Sequence, residues 1–214
     1  MPKCYSYDDE RIYYSRNWPQ QAKEYRYLEG YLRPWLDCER MFAGRRVLDI
    51  GAGECTYTRL IAELFQPRQI VACELFVNRM LPARQASTAP NLSFVAGDCF
   101  SLPFASASFD VIFGTCVLHQ IRELDHVLQE IRRALTPDGR YVGIEPNPYS
   151  FMHLIRFLSG KQSPNQYLLA PMHLKRFRKY GFQVKVSFFY WKHPRLHSRW
   201  LTSSMGIQAV LAAS

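Results

Sequence analysis

Six residues have the types and spacing that a nucleoside site with proton chemistry beside it would need. Gly51 and Gly53 form a Gly-x-Gly turn between the apolar run Arg45–Ile50 and a helical stretch. Glycine lets a backbone turn sharply and approach a ligand closely, and the N–H groups that open the next helix favour a carboxylate or phosphate. Glu74 closes a second apolar run 21 residues beyond Gly53, where a carboxylate can accept hydrogen bonds from ribose hydroxyls. Asp98 follows a third run, in Gly97-Asp98-Cys99, and could accept from an exocyclic amine. His119, after a fourth run, and Glu145, at the end of a fifth, are the candidates for moving a proton.

Each of these residues has a structural alternative. The glycines could serve only a tight turn, Glu74 and Asp98 could be exposed loop acids, and His119 could be a satisfied histidine at a strand-to-helix junction. A Gly-x-Gly turn with an acid about twenty residues on is shared by nucleoside-binding α/β domains, dehydrogenases among them. Dinucleotide binding fits poorly, because Thr56 stands where that fingerprint wants Gly or Ala and Asp98 adds a second acid.

Strands alternating with helices would position these groups. Apolar runs at Arg45–Ile50, Gln69–Glu74, Leu92–Ala96, Phe109–Gly114 and Arg140–Glu145 read as strands. Helical spacing covers Thr56–Gln66, Phe76–Ala86 and Leu124–Leu135, the last closed by the turn Thr136-Pro137-Asp138-Gly139. A helix over Pro19–Phe42 precedes this core. Helices over Tyr149–Leu158 and Met172–Tyr180 follow it, then a strand Phe182–Phe189 and a segment Gly206–Ala212 that could pair antiparallel with it. The alternation predicts right-handed crossovers and an α/β, doubly wound, mainly parallel sheet with helices on both faces. Ligands of such sheets sit at the carboxyl ends of the central strands, where the candidate residues fall.

Taken in order, the motifs resemble those of class I S-adenosylmethionine-dependent methyltransferases, above all the ubiquinone and menaquinone C-methyltransferases. Val47-Leu48-Asp49-Ile50-Gly51-Ala52-Gly53 is similar to the first motif of that family and Val71-Ala72-Cys73-Glu74 to its ribose-binding strand. Gly97–Phe104 with Ser108-Phe109-Asp110, then Val117–Ile121 and Leu135–Arg140, complete the series over about residues 45–145. Cys55 stands where the family often has a third glycine. The resemblance implies a seven-stranded Rossmann-like methyltransferase fold with S-adenosyl-L-methionine as cofactor, S-adenosyl-L-homocysteine as product and no metal. It implies Gly51 and Gly53 around the methionine part, Glu74 on the ribose, Leu75 against the adenine, and Asp98 with the Cys99 amide on the adenine edge. Asp49 would orient the loop, and Thr115 would lie near the methionine amino group. His119 and Glu145 would matter as bases only for a hydroxyl or carbon-acid acceptor.

Length and composition agree with one domain. A chain of 214 residues with 48% hydrophobic content and no linker can build a single core. The expected organisation is a helical cap at 1–44, a cofactor core at 45–145 and an acceptor-binding part at 146–214. Tyr5, Tyr7, Tyr13, Tyr14 and Trp18 could form a lid over the cofactor or simply pack. No apolar run reaches the length of a membrane span and no signal-peptide pattern opens the chain, so the expected location is cytoplasmic. The six cysteines form no Cys-x-x-Cys pair and suit buried thiols. The net charge of +9 is uneven: ten of 27 Lys and Arg and none of the 18 acids follow Glu145, which puts +10 on residues 146–214. That points to an anionic partner or to a basic solvated surface. Beside the apolar stretch Phe151–Leu158, a lipid-linked or anionic small-molecule acceptor, with peripheral contact to an anionic membrane, explains more of the pattern than nucleic acid does. An RNA methyltransferase and a non-catalytic S-adenosylmethionine-binding module stay open beside this reading.

Overall fold

The alternation of apolar runs and amphipathic stretches folds into a seven-stranded sheet. A computed structural model of the chain describes residues 36–121, 123–147, 149–151, 155, 158, 174–189 and 204–211. In chain order it runs α1 (Cys38–Phe42), β1 (Arg46–Ile50), α2 (Thr56–Phe65), β2 (Gln69–Glu74), α3 (Val77–Ala86), β3 (Leu92–Ala96) and β4 (Phe109–Thr115). A single 3-10 turn, Leu118–Gln120, then leads to α4 (Leu124–Ala134), β5 (Leu135–Pro146), β6 (Phe182–Phe189) and β7 (Ser204–Leu211). Residues 151, 155, 158 and 174–179 are also helical. Of the expected helix Pro19–Phe42 only Cys38–Phe42 is seen as helix: Leu36 and Asp37 are not helical, Asp37 capping α1 by accepting the Arg40 N–H, and residues 19–35 lie outside the described residues, as do the aromatic residues Tyr5 to Trp18.

Strand order is β3-β2-β1-β4-β5-β7-β6. The five strands from β3 to β5 are parallel, and β7 pairs antiparallel with both β5 and β6. The expected mainly parallel sheet with an antiparallel last strand is what forms. The chain winds outward from β1 to β3, then returns to β4 on the other side of β1, which opens a crevice at the carboxyl ends of β1 and β4.

Both faces of the sheet are covered, so its strands carry continuous apolar runs rather than alternating ones. Leu48, Ile50 and Ile112 pack with Leu124, Val127, Leu128 and Ile131 of α4 on one face. Val47, Val111 and Phe113 pack with Phe42 of α1 and with Ile61 and Phe65 of α2 on the other. The buried positions of α4 recur at spacings of three and four, the stripe a helix needs to dock on a sheet.

Two boundaries differ from the sequence reading. Helix α4 stops at Ala134 because Leu135 already has extended backbone (φ −74°, ψ 143°) and joins β5. Phe109 faces Leu135 while Val111 faces Arg140, so Thr136-Pro137-Asp138-Gly139 is a bulge carried within β5 rather than a turn before it. Leu135 keeps its pairing with β4, and the turn-forming residues are extruded without ending the strand.

Candidate functional site

The register of the sheet gathers the candidate residues at one edge. Ile50 lies opposite Cys73, Glu74 opposite Ala96, and Thr115 opposite Ile144. The loops prolong these ladders, with the amide of Ala52 donating to the Cys73 carbonyl at 3.1 Å, Gly97 to Glu74 at 3.1 Å and Cys116 to Ile144 at 2.7 Å.

The glycine loop is fixed by conformation and by space. Gly51 and Gly53 both have positive φ, 61° and 56°. A Cβ on Gly51 would stand 2.7 Å from Val117 Cγ2, and one on Gly53 would stand 2.9 Å from Arg79 Nη2. Beneath the loop Asp49 is buried, and the Thr58 hydroxyl donates to its Oδ2 at 2.6 Å, tying β1 to the first turn of α2. Burial pushes the Asp49 carboxyl up to about 7, against the pull of the Thr58 bond and with a further push from the charge of Glu74.

Glu74 is buried rather than an exposed loop acid, and the loop closes onto it. Its Oε2 accepts the Gly53 N–H at 2.8 Å, and its Oε1 accepts the Phe76 N–H at 3.1 Å. A carboxylate has about four acceptor sites, so two remain for a diol. Leu75 beside it is 55% exposed, an apolar surface that core packing leaves uncovered. Across the crevice Asp98 Oδ1 accepts the Phe100 N–H at 2.9 Å, which shapes the turn carrying Cys99. Burial raises the Cys99 thiol to about 11, so its side chain is a neutral thiol.

At the end of β4, Thr115 Oγ1 is buried with no hydrogen-bond partner among the described residues, an unmet polar group at the crevice. The next turn is held from β5. Glu145 is buried; its Oε1 accepts the N–H groups of Val117 (3.2 Å) and Leu118 (2.9 Å), and its Oε2 accepts that of His119 (3.3 Å). His119 Nδ1 lies 2.7 Å from the same Oε2. In the neutral tautomer whose Nδ1–H donates to this carboxylate, Nε2 keeps its lone pair.

The structure thus brings Asp49, Gly51, Gly53, Glu74, Leu75, Asp98, Cys99 and Thr115 to one sheet edge and seats His119 and Glu145 against each other beside it. Three residues at the site were missed from sequence: Thr58, Arg79 and Val117. Thr58 was findable, since a hydroxyl in the first turn after a glycine loop is well placed to meet an acid ending the strand. Val117 opens the motif Val117–Ile121, yet nothing there marks its contact with Gly51, and nothing local marks Arg79.

These residues fit S-adenosylmethionine. The loop has no room for side chains where a ligand must approach, a buried carboxylate with spare acceptor sites ends β2, an exposed apolar residue follows it, a second acid follows β3, and a buried hydroxyl without a partner among the described residues ends β4. Among the described residues no cluster of His, Cys, Asp and Glu is arranged to hold a metal ion, and the cysteines Cys38, Cys55, Cys73, Cys99 and Cys116 are free thiols.

The strand order and the antiparallel last strands give the chain the α/β fold of Rossmann-like methyltransferases. Residues 48–143 match the family model described as a methyltransferase domain. Over 113 residues the chain is 29% identical to a malonyl-[acyl-carrier protein] O-methyltransferase of Legionella pneumophila, covering 52% of this chain and 40% of that protein. Over another 113-residue match it is 33% identical to a demethylmenaquinone methyltransferase of Beutenbergia cavernae, covering 53% and 45%. The chain therefore spans less than half the length of these curated relatives. The fold is similar to the crystal structure of a SAM dependent methyltransferase from Aquifex aeolicus, with a TM-score of 0.67 over 87% of this chain and 93% of that one at 16% identity.

Proposed function

We propose that the chain transfers a methyl group from S-adenosylmethionine to a small-molecule acceptor that is anionic or lipid-linked. The observation that carries this reading is the convergence of the glycine loop, Glu74, Asp98 and the orphaned Thr115 hydroxyl on one crevice. When bound, the cofactor supplies an electrophilic methyl on a sulfonium, so the protein has mainly to align the acceptor and exclude water. Gly51 and Gly53 hold the methionine part, Glu74 accepts from the ribose hydroxyls, and Leu75, Asp98 and the Cys99 amide take the adenine. Thr115 Oγ1 meets the methionine amino group, and Asp49 holds the loop through Thr58.

His119 Nε2 takes the proton when the acceptor is a hydroxyl or carbon acid. Glu145 acts through it, fixing the tautomer and stabilising the imidazolium that forms. In this reading residues 1–44 cap the core of 45–145, and residues 146–214 select the acceptor. Phe151, Ile155 and Leu158, spaced at i, i+4 and i+7 in the chain after β5, are 56%, 44% and 74% exposed, an apolar stripe. With the +10 charge of residues 146–214, that stripe suits a lipid-linked acceptor at an anionic membrane. The names of the two curated relatives give a carrier-bound malonyl group and demethylmenaquinone as their acceptors, which supports a small-molecule acceptor with an acidic or lipid character.

Titration calorimetry with S-adenosylhomocysteine tests the cofactor half, and Glu74→Ala should weaken binding by about 1–3 kcal/mol. A tritiated-methyl screen of lipid and soluble extracts tests the acceptor half, beside sedimentation with vesicles that do or do not contain anionic lipid. Unchanged affinity in a folded Glu74→Ala chain would overturn the site assignment. Labelling of soluble acceptors only, without vesicle binding, would overturn the lipid assignment.

A further inference from the structure

Arg79 lies in the first turn of α3, five residues beyond Glu74, and its guanidinium reaches back over the glycine loop. Nη1 is 3.9 Å from Glu74 Oε2, the oxygen that accepts the Gly53 N–H. The Cβ that Gly53 lacks would stand 2.9 Å from Nη2 and 3.4 Å from Cζ, so the cation covers that glycine at contact distance. Its field also reaches Glu54, whose carboxyl burial raises and Arg79 draws back down. A fixed positive charge therefore sits on the loop assigned to the methionine part, beside the carboxylate assigned to the ribose.

The two ligands that this loop must hold differ by one charge. S-adenosylmethionine carries a sulfonium, and S-adenosylhomocysteine has a neutral thioether with the same adenosine, ammonium and carboxylate groups. Any contact to the shared groups affects both ligands alike, whereas a fixed charge near the sulfur acts on their difference. We propose that Arg79 is a specificity-determining residue that tilts the site toward the demethylated product, its guanidinium on Gly53 opposing the sulfonium and leaving the thioether unaffected. The inference rests on the cofactor reading given under Proposed function. It makes Arg79 a determinant of product inhibition, separate from loop positioning.

The test measures dissociation constants of both ligands by calorimetry on the full chain, for wild type, Arg79→Met, Arg79→Gln and Arg79→Lys, at low and high salt. A unit charge acting across partly screened protein implies a shift of about threefold to tenfold in the ratio of the two constants. Arg79→Met and Arg79→Gln should both shift that ratio toward S-adenosylmethionine by this amount, Arg79→Lys should keep the wild-type ratio, and high salt should shrink the shift. Damage to the loop would weaken both ligands together and leave the ratio where it was. An unmoved ratio in the two neutral variants, or the same movement in Arg79→Lys, overturns the proposal. A folded wild-type chain that binds neither ligand overturns the cofactor reading first, and this inference with it.

Discussion

Glu145, at the end of β5, holds the imidazole of His119 at 2.7 Å and the backbone amide of Leu118 at 2.9 Å, so one buried carboxylate fixes both a ring nitrogen and the turn that carries it. Structural and chemical roles then separate by variant. Glu145→Ala strands three amides and an imidazole and should cost about 2–4 kcal/mol in denaturant unfolding. His119→Ala leaves the carboxylate its three amides. It should lower kcat with S-adenosylhomocysteine affinity intact. If His119→Ala instead lost stability and kept kcat, the histidine would be a structural residue only.

Gly51 tolerates no side chain for two reasons at once, its φ of 61° and the 2.7 Å that would separate a Cβ from Val117 Cγ2. Gly51→Ala should destabilise the chain by about 1–3 kcal/mol and weaken S-adenosylhomocysteine more than tenfold. Gly51→Ala with Val117→Ala removes the clash and leaves the strain. Stability should then recover in part, and full recovery would show that the backbone conformation contributes nothing.

The Asp49 carboxyl, raised by burial from 3.8 to about 7, makes stability depend on pH with a definite sign. The folded state holds this proton more tightly than the unfolded chain does. Its contribution is complete below about pH 4 and is lost as pH rises through about 7. Asp49→Asn keeps an acceptor for Thr58 and removes the ionisation, so its advantage over wild type should grow by a few kcal/mol between pH 5 and pH 8.5. Urea midpoints at the two pH values measure it, and a gap that does not change with pH would refute the assignment.

Tyr141 fills the space above Gly143, and its hydroxyl is buried without a hydrogen-bond partner among the described residues. Burial holds its phenol well above the ordinary value, so the group is a neutral donor with nothing to donate to. Tyr141→Phe keeps the ring against Phe177, whose centroid is 5.3 Å away. Melting temperature should stay level or rise, by the equivalent of up to about 1 kcal/mol. A clear fall would mean that the hydroxyl is satisfied in solution.

Much of the fold and of the candidate site was legible because its signals are local. A parallel strand covered on both faces is an apolar run, its loop begins where the run stops, and the chemistry of an open α/β sheet gathers at those stops. Asp49, Gly51, Gly53, Glu74, Asp98 and Thr115, singled out from sequence or by resemblance, all fall at such stops in the fold. Contacts between loops were not legible, because they depend on which strands become neighbours and on where side chains point once helices have docked. Tertiary structure placed β4 beside β1 and so set Val117 against Gly51. It paired β4 with β5, which turned Glu145 from a free acid at a strand end into the anchor of His119, and it extruded Thr136–Gly139 as a bulge. It also laid Arg79 over Gly53, across 26 residues of chain. The sequence by itself determined the strand ends and the residue types waiting there. Long-range packing, which no local pattern encodes, decided which of those residues touch.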